Sequence, residues 1–277
     1  VNNLSLQRRR APLGQLVPIN EDALSLEGLH LYHAARSNCS ARVRLLLEEK
    51  QVAWTSHHLD LLKKENISEA YFGINPKGLV PALVHAGHVV IESNDILVYL
   101  EECFPEPGFR AVSDKEQADI DQWLRKSGDL HIPAIKTFQY YKINAAVLVK
   151  SKAEEELFRK LQTDPELLEF HGKHSGGKSF TDEDAATATD LLNAVFAEMD
   201  QALENKDWLV GDNYTLADIS WGPTVTTLLS GGFDFAPFPN IQRWYEALCR
   251  RPQFDKAVIE WRKQANWEKI LEQKNAD

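Results

Sequence analysis

The sequence predicts two domains: a mixed four-stranded sheet covered by helices, followed by a domain built from helices alone. Three observations support this fold class. The chain has 277 residues, a length at which two domains are more common than one. Strand patterns occur between residues 28 and 108 and disappear after Gly108. Beyond Gly108, apolar residues recur three and four positions apart, which is the spacing of amphipathic helices.

The first half of the smaller domain predicts a β-α-β unit. Residues 29–33 alternate in the manner of a short strand, and residues 54–59 predict a second one. Between them, Val43, Leu46 and Leu47 fall on one face of a predicted helix over Asn38–Lys50. Because a single helix connects the two strands, we expect them to be parallel.

The second half of this domain predicts a hairpin and a closing helix. A short helix over Ser68–Phe72 and a turn at Asn75–Gly78 precede two strands, Pro81–His85 and His88–Ile91. Since only Ala and Gly separate these strands, we expect them to pair antiparallel. A helix follows over Asn94–Phe104 and ends at a stretch rich in proline and glycine.

The larger domain contains four clear helix patterns, over Asp114–Lys126, Ile132–Lys150, Ala153–Leu161 and Glu183–Leu203. Three glycines within Phe170–Lys178 predict a loop between the last two of these helices.

These patterns divide the chain into four parts. The predicted boundaries are an N-terminal arm at residues 1–27, the sheet domain at residues 28–108, the helical domain at residues 109–265 and a tail at residues 266–277. The arm has no clear periodicity, and we expect it to be disordered or to lie over the surface.

The composition disfavours several classes of protein. The net charge is -10, from 31 basic and 41 acidic residues, and an acidic chain is a poor candidate for binding nucleic acid. No run of 18 apolar residues is present, so we expect no membrane-spanning helix. Cys39, Cys103 and Cys249 form no CxxC pair and no metal-binding spacing, which favours a reduced, cytoplasmic protein without a metal site.

The first candidate site is Arg36–Ser40, at the start of the first long helix. Helix N-termini present unpaired N–H groups and a partial positive charge, and Ser37, Asn38 or Ser40 can cap them. The same position favours a thiolate, for which Cys39 is a candidate. The alternative is that these residues only cap the helix.

Two further segments are candidate binding sites. Pro81 opens a predicted strand, and a cis bond before it would turn the Val80 backbone toward an extended ligand, although only about 5–6% of X–Pro bonds are cis. Ser93 directly precedes a helix, where it can cap the helix or, with Glu92, bind the carboxylate and ammonium groups of an amino acid.

Thr215 and Asp218 have the spacing of a capping box, with Asp in place of the usual Glu. We therefore interpret Asp218 as a structural residue that starts a helix.

Taken in order, four segments resemble the glutathione transferase family. Tyr32–Arg44 resembles its N-terminal motif, most of all that of the zeta class, and Asn75–Leu83 resembles its cis-proline segment. Glu92–Ile96 is similar to its glutamate–serine pair, and Trp208–Ile219 resembles its C-domain folding motif. The resemblance implies a thioredoxin-like N-terminal domain that binds glutathione as co-substrate, and an all-helical domain that binds the second substrate.

The resemblance also implies roles for the residues of the first site. Ser37 would donate a hydrogen bond to the glutathione sulfur, while Cys39 and Ser40 occupy positions that carry the sulfur-contacting residue in other members. Asn38 departs from the zeta-class motif. Which of Ser37, Asn38, Cys39 and Ser40 contacts the sulfur stays open at this point.

The rest of glutathione would be bound by the other two segments. The resemblance assigns this role to the Val80 backbone, Pro81, Glu92 and Ser93. Lys77 is a candidate for the glycine carboxylate of glutathione, or a solvated turn residue.

Asp95 occupies a position that reaches across the dimer interface in relatives, so the resemblance also implies a dimer, either with itself or with a paralogue.

The second substrate would lie between the two domains. Phe138, Tyr140, Tyr141 and Trp221 are the candidate contacts, and they favour an aromatic molecule. A looser resemblance links the sequence to bacterial lignin β-aryl-etherases, in which glutathione displaces a phenolate. It lies in the insert Lys152–Thr181, in Glu101–Gly108 at the end of the first domain, and in the tail after Arg262.

Three alternatives remain open on the sequence alone: a zeta-like isomerase, a thiol reductase that uses Cys39, and a non-catalytic binding module of the same fold.

Overall fold

The computed structural model describes residues 15–16, 19–111, 113–174 and 180–264. The predicted tail at residues 266–277 and most of the predicted arm lie outside the described residues. The described chain forms a mixed sheet with flanking helices, followed by a domain of helices, so the predicted fold class is confirmed.

The sheet contains all four predicted strands: β2 (Leu29–His33), β3 (Thr55–His58), β4 (Ala82–His85) and β5 (His88–Ile91). Strands β2 and β3 are parallel, and the pairs β2–β4 and β4–β5 are antiparallel.

A fifth strand, β1 (Gln15–Leu16), comes from the region predicted as an arm and pairs antiparallel with β5. The strand order is β1-β5-β4-β2-β3. The extra pairing gives β5 a partner on the side where it would otherwise present an open edge.

Helices flank the sheet and then form the second domain. The sheet domain contains α1 (Glu21–Leu24), α2 (Asn38–Lys50), α3 (Glu69–Phe72) and α4 (Ser93–Cys103). The second domain contains α5 (Asp114–Asp129), α6 (Thr137–Gln139), α7 (Ala145–Val147), α8 (Lys152–Leu161), α9 (Pro165–His174), α10 (Asp182–Ala202), α11 (Leu216–Ser230), α12 (Pro239–Cys249), α13 (Pro252–Phe254) and α14 (Glu260–Gln264).

Residues 131–147 form one helical segment in which α6 and α7 alternate with two π-helical stretches, His131–Lys136 and Tyr140–Asn144. In the first stretch the Ile135 N–H donates to the Leu130 carbonyl, five residues back, at 3.0 Å. Pro133 has no N–H to donate and its ring disfavours a regular α-turn, which explains the wider turn here.

The loop predicted over Phe170–Lys178 is wrong for residues 170–174, which belong to α9, and its remainder at residues 175–178 lies outside the described residues. Asp164 caps this helix, accepting hydrogen bonds from the N–H groups of Glu166 and Leu167 at 3.0 and 3.3 Å. Leu167 and Phe170 are buried, so capping and burial outweigh the low helix propensity of Gly172.

The domains pack together through α2 and α11. Helix α11 is buried on nearly all sides and contacts α2 more extensively than it contacts any other element. Arg42 of α2 is fully buried, and its guanidinium donates to the Ser220 carbonyl at 2.8 Å and to Thr224 Oγ1 at 2.9 Å. This junction positions the start of α2 against the helical domain.

Candidate functional site

A cavity of about 210 Å³ lies between the sheet domain and the helical domain. The sheet domain contributes the start of α2, the segment before β4 and the start of α4. Its lining residues are Arg36, Ser37, Asn38, Cys39, Leu61, Lys64, Asn66, Ile67, Asn75, Gly78, Leu79, Val80, Pro81, Glu92 and Ser93. The remaining lining residues are His131, Ile135, Lys136, Gln139, Tyr140, Ile143, Asn144, Leu148, Lys150, Phe158, His171, Thr227 and Arg262.

Ser37 caps α2 and also faces the cavity. Its Oγ accepts a hydrogen bond from the Ser40 N–H at 3.1 Å. A hydroxyl that accepts one bond still carries a hydrogen to donate. The capping role and a role toward a ligand are therefore compatible at Ser37.

The neighbours of Ser37 differ in their surroundings. Asn38 lines the cavity, and its amide donates to Thr224 Oγ1 at 3.3 Å. Ser40 is fully buried, its Oγ accepts from the Ala34 N–H at 3.2 Å, and it is not part of the cavity wall. Among the four predicted sulfur-contacting residues, Ser40 is thus the one that the structure places away from the cavity.

Cys39 lies opposite His131, at the point where the two domains meet. Its Sγ is 3.7 Å from His131 Nε2 and 3.8 Å from Nδ1. Burial raises the pKa of the Cys39 thiol, but the nearby positive charges of His131 and Arg42 outweigh it and lower this pKa to about 6. A thiolate is accordingly accessible at Cys39 near neutral pH.

The segment before Pro81 is held in place by a tight turn. Gly78 has φ +61°, and a Cβ there would lie 2.4 Å from the Phe72 ring, so no other residue fits without movement. The Leu79 carbonyl accepts from Asn75 Nδ2 at 2.7 Å and from Tyr71 Oη at 2.6 Å.

This turn leads into the peptide bond between Val80 and Pro81. The bond is cis, as the resemblance implies, and both residues line the cavity.

Glu92 and Ser93 stand side by side at the start of α4. Glu92 has φ 65°, a conformation unusual for a residue with a side chain and often found at functional sites. Ser93 is buried, and its Oγ accepts from Arg42 Nη1 at 3.1 Å. Arg42 therefore links this helix start to the start of α2.

Lys77 and Asp95 lie near this corner but are not part of the cavity wall. Lys77 Nζ forms an ion pair with Glu92 Oε1 at 2.6 Å. Burial, together with the negative charge of Glu92, raises the pKa of Asp95 to about 6.

The aromatic residues predicted to contact a substrate fall into three groups. Tyr140 lines the cavity. Tyr141 points away from it and donates to Asp182 Oδ1 at 2.7 Å. Phe138 and Trp221 are buried in the core, where Phe138 packs edge-to-face on Phe233 and Trp221 donates to the Trp123 carbonyl at 3.0 Å.

The prediction for Phe138 and Trp221 is therefore corrected: their side chains fill the core of the helical domain.

The polar residues on the helical side of the cavity were not predicted from the sequence. His131, Lys136, Gln139 and Asn144 recur along one side of residues 131–147, with spacings of three to five. That spacing was a usable signal, but the two π-helical stretches shift which side chains share a face.

Metal-binding clusters and membrane-spanning helices are both absent from the described residues. No group of three or more His, Cys, Asp or Glu side chains in these parts of the chain is arranged to bind a metal ion. Within the same residues, no helix combines the length and apolar character needed to cross a membrane.

Comparison with known families gives two matches. The family described as "Glutathione S-transferase, N-terminal domain" matches residues 36–103, and "Glutathione S-transferase, C-terminal domain" matches residues 143–252.

Individual proteins give consistent results. A zeta class glutathione S-transferase from Euphorbia esula is 30% identical, over 83% of this chain and 89% of that protein. The crystal structure of beta-etherase LigF from Sphingobium sp. strain SYK-6 superposes with a TM-score of 0.72 at 26% identity, covering 83% of this chain and 98% of that one.

A theta class glutathione S-transferase from Xanthomonas axonopodis pv. citri, solved with glutathione bound, shares the fold, with a TM-score of 0.66 at 21% identity over 84% of this chain and 98% of that one.

Proposed function

The chain belongs to the glutathione S-transferase family, and from that premise we propose that it joins the thiol sulfur of glutathione to an aromatic electrophile. One observation carries the proposal. Ser37, the cis Val80–Pro81 bond and the Glu92–Ser93 pair come from separate segments of the chain, yet they line one end of one cavity.

Glutathione occupies this end of the cavity in the proposal. Ser93 and the N–H groups at the start of α4 bind the γ-glutamyl carboxylate, and Glu92 binds the ammonium group. The Val80 backbone pairs with the cysteinyl residue of the tripeptide. Lys77 forms an ion pair with Glu92 and thereby stabilises the Glu92 carboxylate in this part of the site.

Ser37 then stabilises the sulfur as a thiolate. A free thiol has a pKa of about 8.5, and lowering it by about two units requires about 2.7 kcal/mol. A charge-assisted hydrogen bond from a hydroxyl contributes about 1.5–3 kcal/mol, and the N-terminus of α2 adds a favourable field. These two contributions are together sufficient.

The electrophile occupies the other end, against the rings of Tyr140 and Phe158. The sulfur forms a bond to the activated carbon, and the leaving group departs with the electron pair. In the narrower form of the proposal the substrate is a β-aryl ether and the leaving group is a phenolate. The similarity to beta-etherase LigF supports this form.

A second candidate function is thiol reduction, which the Cys39–His131 contact favours. The Cys39 thiolate would attack a mixed disulfide of glutathione and release the other partner as a thiol. A second glutathione thiolate would then attack the new disulfide on Cys39, which yields oxidised glutathione and restores the cysteine.

The experiment compares Ser37→Ala with Cys39→Ala on a β-aryl ether ketone, a cis-dienoate and a mixed disulfide. We expect Ser37→Ala to lower kcat/KM for ether cleavage about 10- to 100-fold, because it removes the charge-assisted bond to sulfur. We expect Cys39→Ala to change it less than about threefold.

Each other outcome assigns a different function. Turnover of the mixed disulfide alone, lost in Cys39→Ala, would establish the reductase. Turnover of the cis-dienoate alone would establish an isomerase. No retention on immobilised glutathione would favour a non-catalytic module.

The proposal places this chemistry in the cytoplasm and in a dimer. Cys39, Cys103 and Cys249 are free thiols, which favours a reducing compartment. Asp95, half-buried beside the glutathione corner, is the residue proposed to reach the partner subunit.

A further inference from the structure

The wall of the cavity contains several basic residues, although the protein is acidic overall with a net charge of -10. Five described residues of the cavity wall are lysines or arginines: Arg36, Lys64, Lys136, Lys150 and Arg262. Among the same described wall residues, Glu92 is the one acid, and it is ion-paired with Lys77 on the sheet-domain side.

Lys136 lies at the helical end of the cavity, in the π-helical stretch His131–Lys136. Its Nζ lies 3.4 Å from His171 Nε2, and the ring centroids of Phe170 and Tyr140 lie 4.6 and 5.8 Å away. No carboxylate of the described residues lies within ion-pair distance of Lys136. Burial lowers the pKa of Lys136 to about 8 and the positive charge of Lys150 acts in the same direction, while the negative charges of Cys39 and Glu166 oppose the shift.

Lys150 adds a second positive charge at the same end. Its Nζ lies 5.4 Å from the Phe158 ring centroid, and burial lowers its pKa although the negative charges of Glu155 and Glu154 oppose the shift. Two partly desolvated ammonium groups on one wall destabilise each other, and an anion between them would relieve that cost. Aromatic rings beside them provide an apolar surface for the rest of a ligand.

We infer that this end of the cavity is an anion site, and that the second substrate is an aromatic molecule carrying a carboxylate bound by Lys136 and Lys150. The claim that the bound aromatic carboxylate is a substrate rests on the proposed function. The anion site itself does not depend on glutathione turnover.

Binding tests the site directly. Isothermal titration calorimetry would compare 3,5-dinitrobenzoate with 3,5-dinitrobenzamide, which differ in charge but hardly in shape. We expect the benzoate to bind the full chain at least about tenfold more tightly. Lys136→Met should remove most of this preference and leave benzamide affinity within about twofold, and Lys150→Met should have a smaller effect of the same kind.

Lys142→Met is the matched control. Lys142 belongs to the same helical segment, is exposed, and is not part of the cavity wall. It should leave both affinities unchanged. Equal affinity for benzoate and benzamide, or an equal loss of both in Lys136→Met, would overturn the anion site.

Turnover separates this inference from the proposed function. Glutathione would be offered 4-chloro-3,5-dinitrobenzoate or its N-methylamide, with chloride leaving as the carbon–sulfur bond forms and the thiol proton passing to solvent. We expect the KM for the benzoate to be lower than the KM for the N-methylamide. We expect this difference in KM to disappear in Lys136→Met. If neither compound reacts while benzoate binding still depends on Lys136, the transferase proposal fails and the anion site stands. If Lys136→Met instead lowers kcat for both compounds equally, Lys136 acts on the leaving group. That result would overturn its proposed role in binding a carboxylate.

Discussion

The two ends of the cavity are built in different ways. At the sheet-domain end, Ser37 and Ser93 occupy helix starts, and Pro81 follows a hydrogen-bonded turn. At the helical end, Lys136 and Tyr140 lie on a segment with two π-helical stretches and are positioned by packing against α9.

The difference shows where each end gets its geometry. At the sheet-domain end, helix N-termini and a tight turn fix the geometry, because the directions of backbone N–H groups and the dihedral angles of a turn allow few alternatives. Side-chain packing determines the helical end, so its chemistry can vary while the fold stays the same. Four substitutions test this comparison, from the largest expected effect to the smallest.

Asp218→Ala should affect both ends at once, since α11 supports both. The Asp218 carboxylate is fully buried and accepts from the Leu209 and Thr215 N–H groups at 2.9 and 2.8 Å and from Trp244 Nε1 at 2.7 Å. Removing it leaves these donors unpaired, so we expect a loss of about 3 kcal/mol or more in unfolding free energy.

For a chain of this size, such a loss corresponds to a fall in Tm of about 6 °C or more, measured by calorimetry. Asp218→Asn, which keeps an acceptor, should lose less. A Tm within about 2 °C of the parent for Asp218→Ala would contradict the structural role.

Ser93→Ala should weaken only the sheet-domain end. It removes a hydroxyl that we propose binds the glutathione carboxylate, and a hydrogen bond to a charged group contributes about 1.5–3 kcal/mol. We expect the Kd of glutathione to rise about tenfold or more, measured by calorimetry. The Kd of 3,5-dinitrobenzoate should stay constant. If both constants rise together, the two ends are not independent.

His131→Gln tests the contact where the ends meet. With the pKa of Cys39 near 6, its alkylation by iodoacetamide should already be close to its maximum at pH 7. The thiolate gains stability from the positive charges of His131 and Arg42, so loss of the imidazole should shift the alkylation profile to higher pH.

Peptide mass spectrometry would resolve the rate at each cysteine. Cys249, whose pKa is raised by burial, is an internal reference and should react more slowly at pH 7. An unchanged pH profile of Cys39 alkylation in His131→Gln would show that His131 does not lower the pKa of Cys39.

Tyr141→Phe should have the smallest effect. The Tyr141 side chain is exposed and donates one hydrogen bond to Asp182 outside the cavity. We expect a change below about 0.5 kcal/mol in unfolding free energy and no change in either Kd. A loss of affinity for 3,5-dinitrobenzoate would mean that the cavity extends to this residue.

The same contrast explains what could be predicted from sequence. Strands β2 to β5 and helix α2 were predicted, and Ser37 was one of three candidate caps, because periodicity, turns and caps are local patterns. The segments around Val80 and Ser93, which line the cavity, were identified as candidate sites through the family resemblance, since each was a weak signal by itself.

The helical end was not predictable in this way. Phe138 and Trp221 are aromatic residues of the kind found in substrate sites, but they lie in the hydrophobic core. Nothing in the neighbouring sequence distinguishes a core position from a substrate-site position here. Strand β1 was missed because a two-residue strand depends on its partner rather than on its own pattern.

The π-helical stretches of residues 131–147 also bear on how this cavity can evolve. A π-turn accommodates one residue more than an α-turn, and each residue of a helix turns its side chain by about 100°. Deleting one residue from His131–Lys136 would convert the wide turn into an α-turn, change which of its own side chains face the cavity, and leave Tyr140 and Asn144 in the wall. A single deletion could thus give descendants of this protein a partly new lining without replacing any amino acid.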